Sequence, residues 1–97
     1  MTISCIELRT VVQARQGNPI AEIQGETVVL HLASGEYFGL NEVGTRIWKL
    51  IQTPLTVDAV VIQLEREYES RRDILEADVV RLITELQDAG LVAQIES

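Results

Sequence analysis

Gly35 divides two runs of strand-forming residues, and that division constrains the chain more than any other feature. Thr27-Val28-Val29-Leu30-His31-Leu32 is rich in β-branched and aliphatic side chains, and Glu36-Tyr37-Phe38-Gly39-Leu40 follows after Ala33-Ser34-Gly35. The pattern predicts a β-hairpin with a three-residue loop and Gly35 in the left-handed conformation. That loop would set Leu32 opposite Glu36, Leu30 opposite Phe38 and Val28 opposite Leu40. Val28, Leu30, Leu32, Phe38 and Leu40 would then share the core face, with Thr27, Val29, His31, Tyr37 and Gly39 on the other.

Helical signals begin where the hairpin ends. Asn41 is placed as an N-cap, and Val43, Ile47, Leu50 and Ile51 recur at helical spacing with Trp48 beside them, until Pro54. Thr56 caps a second helix whose apolar face is Val57, Val60, Val61, Leu64 and Tyr68; Leu55 and Val60 stand at the spacing of a hydrophobic staple. Asp73 and Glu76 have capping-box spacing, and Leu75, Val79, Leu82, Ile83 and Leu86 form the stripe of a third helix. Gly90 suits its C′ position, with Leu86 and Leu91 as the apolar pair of a Schellman ending. Short strands are expected over Thr10–Arg15, Ile20–Ile23 and Leu91–Ile95. The fold class is α+β: a three-stranded antiparallel sheet followed by three helices, in a winged helix-turn-helix-like arrangement. Residues 1–97 make one domain, with 1–19 as an N-terminal arm or a first strand.

Composition removes several functions. The net charge is -7, so affinity for nucleic acid is not expected, and the third helix carries Glu76, Asp78, Glu85 and Asp88 against Arg81. One cysteine, Cys5, and one histidine, His31, cannot supply a structural zinc site or a recognisable nucleophile–base pair. Glu65, Arg66, Glu67, Glu69, Arg71, Arg72 and Asp73 read as a solvated mixed-charge surface. No catalytic residues, metal or cofactor are expected. With no signal-peptide pattern and no membrane-length apolar run, the expected location is the cytoplasm, with no membrane partner. Glu36–Leu40 is a candidate edge strand, open to an added peptide strand or covered by a helix or the N-terminal arm.

Gly35-Glu36-Tyr37-Phe38-Gly39-Leu40-Asn41-Glu42-Val43-Gly44-Thr45-Arg46-Ile47-Trp48 resembles the signature of the PqqD-like family. Ala77-Asp78-Val79-Val80 to Glu85-Leu86-Gln87-Asp88-Ala89-Gly90-Leu91-Val92 is similar to that family's last helix. The resemblance spans about residues 20–95 and implies a non-catalytic precursor-peptide recognition element. It implies that a leader peptide docks as an extra strand on Glu36, Tyr37, Phe38, Gly39 and Leu40, against a helix wall drawn from Val79, Val80, Ile83, Leu86 and Gln87. Val79, Ile83 and Leu86 also belong to the core stripe. A free-standing chain of this size looks most like the leader-binding protein of lasso-peptide pathways, partnered by a separate cysteine-protease-like leader peptidase. The alternatives are a PQQ-pathway-type chaperone serving a radical enzyme, or an adaptor that dimerises through the same edge. Proline at Leu40 would weaken peptide binding if the Leu40 N–H faces the peptide.

Overall fold

The computed structural model describes residues 6–95, so Cys5 lies outside the described residues. The element order is β1 (Val11–Ala14), β2 (Ile20–Ile23), β3 (Glu26–His31), β4 (Glu36–Leu40), α1 (Glu42–Leu50), β5 (Leu55–Thr56), α2 (Val57–Glu67), α3 (Arg72–Asp88) and β6 (Val92–Gln94). The expected three-stranded antiparallel sheet is β2-β3-β4, and it leads directly into the three helices. A second three-stranded sheet, β5-β1-β6, brings both ends of the chain together; β1 is its central strand.

The β3–β4 register differs from expectation by one residue. His31 pairs with Glu36, Leu30 with Tyr37, Val29 with Phe38, Val28 with Gly39 and Thr27 with Leu40. The loop is therefore four residues, Leu32 to Gly35. Gly35 does take the left-handed conformation, at φ 74°, and donates its N–H to the His31 carbonyl at 2.8 Å. Ser34 secures the longer loop: its hydroxyl lies 2.7 Å from His31 Nδ1 and accepts the Glu36 N–H at 3.2 Å. A one-residue shift exchanges the faces of one strand against the other. Thr27 and Val29 are buried with Leu40, whereas Val28 and Leu30 turn outward and Leu32 is exposed.

Local chemistry sets most helix ends. The Asn41 side chain accepts the Gly44 N–H at 2.8 Å, and the Thr56 hydroxyl accepts the Ala59 N–H at 3.1 Å. At the end of α3, Leu91 N–H reaches the Leu86 carbonyl and Gly90 N–H the Gln87 carbonyl, with Gly90 at φ 83°. These are the two bonds of the Schellman motif, and Leu86 and Leu91 are both buried. The start of α3 departs from expectation. The N-cap is Arg71, without a side-chain cap bond, and Asp73 lies within the first turn. Arg72 explains the earlier start, because its guanidinium is held by Asp58 and Glu65 of α2 and by Glu76 one turn on.

The helices pack around Ile47, Trp48, Ile51, Val57, Val60, Val61, Leu64, Leu75, Val79 and Ile83, all buried. Val12, Val29, Leu40 and Val92 bring both sheets into the same core. Gly44 allows α1 its close approach: a Cβ there would stand 3.3 Å from Leu40 Cβ and 3.4 Å from Leu82 Cδ2. Outside the core, Arg46 of α1 binds both carboxylate oxygens of Glu67 at the end of α2, at 2.8 and 2.7 Å. The charged run from Glu65 to Asp73 is thus more than a solvated surface, since Glu67 ties two helices together.

Hydrogen bonds from Arg46, and then from Gln63, lower the Glu67 pKa from its ordinary 4.5 to about 2. A lowered folded-state pKa contributes stability above the unfolded value and loses it as pH falls through the folded one. The stabilisation should be about 1 kcal/mol for so exposed a pair. Denaturant unfolding should therefore show wild type ahead of Glu67→Gln at neutral pH, with the gap closing between pH 4.5 and 2. A gap independent of pH would mean that the ion pair is not its source.

Candidate functional site

In the sheet order β2-β3-β4, β4 pairs with β3 and, among the described residues, with nothing on its other side. Which of its backbone groups remain free follows from the ladder. Leu30 N–H donates to the Pro19 carbonyl at 2.9 Å, so Leu30, Val28 and Glu26 direct their backbone groups toward β2. Residues along an antiparallel strand alternate between the two neighbours, so Thr27, Val29 and His31 face β4. The Gly35-to-His31 bond agrees. Their partners Leu40, Phe38 and Glu36 therefore use their backbone groups against β3. Tyr37 and Gly39 carry the N–H and C=O groups directed at the open edge.

Side chains follow the same alternation. Phe38 is half-buried and Leu40 buried on the inner face, while Tyr37 is 71% exposed on the outer one. A cavity of about 460 Å³ begins at Asn41, immediately after β4. Val43, Gly44 and Ile47 of α1 form one wall, Leu75, Asp78, Leu82 and Glu85 of α3 the other, and Tyr68 and Glu69 close one end. Its floor is apolar and its rim acidic: the rim's one guanidinium, Arg81, lies 3.4 Å from Asp78 and leaves Glu69 and Glu85 unbalanced. Such a site suits a peptide with apolar anchors and no phosphate.

The structure divides the residues expected to contact a peptide. Glu36, Tyr37, Phe38, Gly39 and Leu40 lie together on the edge strand. Val79 and Ile83 are fully buried and Leu86 nearly so; their side chains belong to the core and reach no groove. Val80 and Gln87, seven residues apart, share a different flank of α3, and Gln87 accepts a hydrogen bond from Gln94 of β6 at 2.9 Å. That flank faces the second sheet. The flank beside α1 is Asp78, Leu82 and Glu85, on the other side of the buried row of Val79, Ile83 and Leu86. Periodicity placed Leu82 in the apolar stripe; its half-buried position at the stripe's margin becomes apparent only from the packing of α1 at Gly44. Among the described residues, no group of three or more His, Cys, Asp or Glu side chains could hold a metal ion. No helix among them is long and apolar enough to cross a membrane.

Residues 26–92 match the family model for PqqD, described as Coenzyme PQQ synthesis protein D. The chain belongs to the PqqD family. Its fold is that of TbiB1, solved in complex with the TbiA(beta) leader peptide: TM-score 0.76, 30% identity, 88% of this chain and 99% of that one covered. A lasso peptide synthetase B1 complexed with the leader peptide matches at TM-score 0.73 and 28% identity, over 84% of this chain and 96% of that chain. The PqqD truncation of Methylobacterium extorquens PqqCD, a stand-alone RiPP recognition element, shares the fold at TM-score 0.76 and 19% identity, over 92% and 95% of the two chains. No curated protein sequence matches this chain.

The ladder separates two proline substitutions in this PqqD-family chain. Leu40→Pro removes a donor to Thr27 inside the hairpin, so it should destabilise the fold by about 3 kcal/mol or more. Tyr37→Pro removes only an outward N–H, which an edge strand tolerates, and should leave the urea midpoint nearly unchanged. Equal destabilisation of both variants would contradict the assigned edge.

Proposed function

We propose that this chain holds the leader segment of a ribosomally made precursor, of the lasso-peptide type, as an added strand on β4. It catalyses nothing itself and delivers the bound leader to a separate cysteine-protease-like leader peptidase in the cytoplasm. One observation carries the reading: β4 has an unpaired edge at Tyr37 and Gly39, and a cavity walled by α1 and α3 begins at Asn41, the residue that follows the strand. Both leader-peptide complexes among the structural neighbours support it.

Physically, main-chain hydrogen bonds along β4 would hold the leader extended, and alternate side chains would enter the cavity. Holding the leader raises the local concentration of the scissile segment at the peptidase. No metal or cofactor takes part. Charge complementarity to the acidic rim speeds encounter more than it adds affinity. A second reading, a PQQ-pathway chaperone serving a radical enzyme, is favoured by the family model itself. The two readings share the docking mode and differ in the enzyme served.

A labelled synthetic leader, taken from the short reading frame beside this gene, tests the proposal by fluorescence anisotropy. Saturable binding at about micromolar affinity or tighter, roughly -8 kcal/mol, is expected. It should survive moderate salt, and the precursor's core segment alone should bind poorly. Tyr37→Pro should weaken leader binding at least about tenfold, since it removes one of the few main-chain bonds along the edge. Absence of binding to a folded sample contradicts the proposal; mass that rises with concentration, without peptide, would then favour an adaptor that dimerises through β4.

A further inference from the structure

Acidic side chains outnumber basic ones in this chain by fifteen to eight, yet one cation has no acidic partner. Arg9, Arg46, Lys49, Arg71, Arg72 and Arg81 are all held in ion pairs. Of the two others, Arg66 stands in sequence between Glu65 and Glu67. Arg15 has no such company: no Asp or Glu occurs between Glu7 and Glu22, and among the described residues it forms no ion pair. Its main chain is fixed all the same, because the Arg15 N–H donates to the Leu91 carbonyl at 2.8 Å.

Arg15 lines a hollow of about 400 Å³ together with Gln13, Gln16, Asn18, His31 and Gly90, and no Asp or Glu lines it. The cavity between α1 and α3 differs, since Glu69, Asp78 and Glu85 line that one. Besides the guanidinium, the hollow offers two neutral donors. Asn18 Oδ1 accepts the Leu32 N–H at 3.1 Å, which leaves the amide NH₂ to donate. With the Ser34 hydroxyl donating to His31 Nδ1 across 2.7 Å, the ring proton stands on Nε2. Nε2 lies against Gly90, where a Cβ would come within 3.0 Å of it. The carbonyls at the end of α3 do not compete for these donors, because Leu91 and Gly90 cap those of Leu86 and Gln87.

We infer that this hollow is a carboxylate subsite, which takes an Asp or Glu side chain of the leader. Arg15 supplies the charge, and Asn18 and His31 supply further hydrogen bonds to the carboxylate oxygens. Charge selects the occupant: the hollow holds a guanidinium and no carboxylate of its own. Position ties it to the leader. His31 pairs with Glu36, the first residue of β4, and Glu36 does not line the hollow. A strand added to β4 passes roughly 10 Å from His31 at that end, within reach of a long acidic side chain. The inference rests on the strand-addition reading above and extends it. The two ends of β4 then differ in charge, with an acidic rim after Leu40 and a cationic hollow beside the partner of Glu36.

Arg15→Gln and Arg15→Glu remove and then reverse the charge. Arg15 is exposed, so both variants should keep the melting temperature of wild type. Affinity for the labelled leader should fall about threefold in the first and at least about tenfold in the second. A scan of the leader, each Asp to Asn and each Glu to Gln, completes the test. One acidic position should matter in wild type and lose its effect in Arg15→Gln, the coupling that a direct contact requires. Undiminished leader affinity in a folded Arg15→Glu overturns the subsite while leaving the proposed function intact. So does a loss shared equally by every leader variant, which would report the field of the whole protein and no contact. A leader that fails to bind wild type overturns both.

Discussion

The hydrogen-bonded register between β3 and β4 is the constraint on which the rest of the site depends. It sends the Thr27, Val29, Phe38 and Leu40 side chains inward and leaves Tyr37 and Gly39 as the outward-bonding residues. With the register shifted by one, the free donors and acceptors would belong to different residues and the apolar side chains would change faces. The four-residue loop holds that register through the Gly35-to-His31 bond and the Ser34 hydroxyl. His31 also lies against the end of α3: its Nε2 stands 3.0 Å from where a Gly90 Cβ would be. The hairpin and the Schellman turn are thus fitted to one another.

Among the described residues the β4 edge of that sheet has no strand partner, and α1 and α3 wall a cavity that begins where β4 ends. The inner face of β4 is closed by α1, whose approach depends on the absence of a side chain at Gly44. Helix α3 is anchored by Val79, Ile83 and Leu86 in the core, and its row of Asp78, Leu82 and Glu85 therefore faces the cavity. Burial that fixes the helix and surface that lines the cavity come from adjacent rows of the same helix. A slot already formed in the folded chain would leave most of the ordering cost of binding with the peptide.

Local signals were legible where one residue type does one job. Asn41, Thr56 and Gly90 mark helix ends because their side chains, or the lack of one, satisfy particular backbone groups. Glu36–Leu40 was legible as an edge because nothing in the sequence offered it a second partner. The hairpin loop was not legible, since a three- and a four-residue loop both end on a left-handed glycine; the Ser34–His31 contact decides between them. The β2–β3 turn is illegible for a related reason. Gln24 at φ 53° and Gly25 at φ 83° make a two-residue turn, but glutamine seldom signals one. The second sheet joins residues some eighty positions apart, beyond the reach of periodicity. On α3 the apolar stripe was read correctly as core, yet the flank facing the cavity depended on where α1 packs.

Backbone amide exchange along β4, with and without the leader, tests the central claim most directly. In the free protein the Phe38 and Leu40 amides, bonded to β3, should exchange slowly, while those of Tyr37 and Gly39 should exchange rapidly. Saturating leader should slow Tyr37 and Gly39 by at least about tenfold, as an added strand takes up their N–H groups. Unchanged exchange at both amides in the presence of bound leader would contradict the account, because the peptide would then lie elsewhere on the molecule.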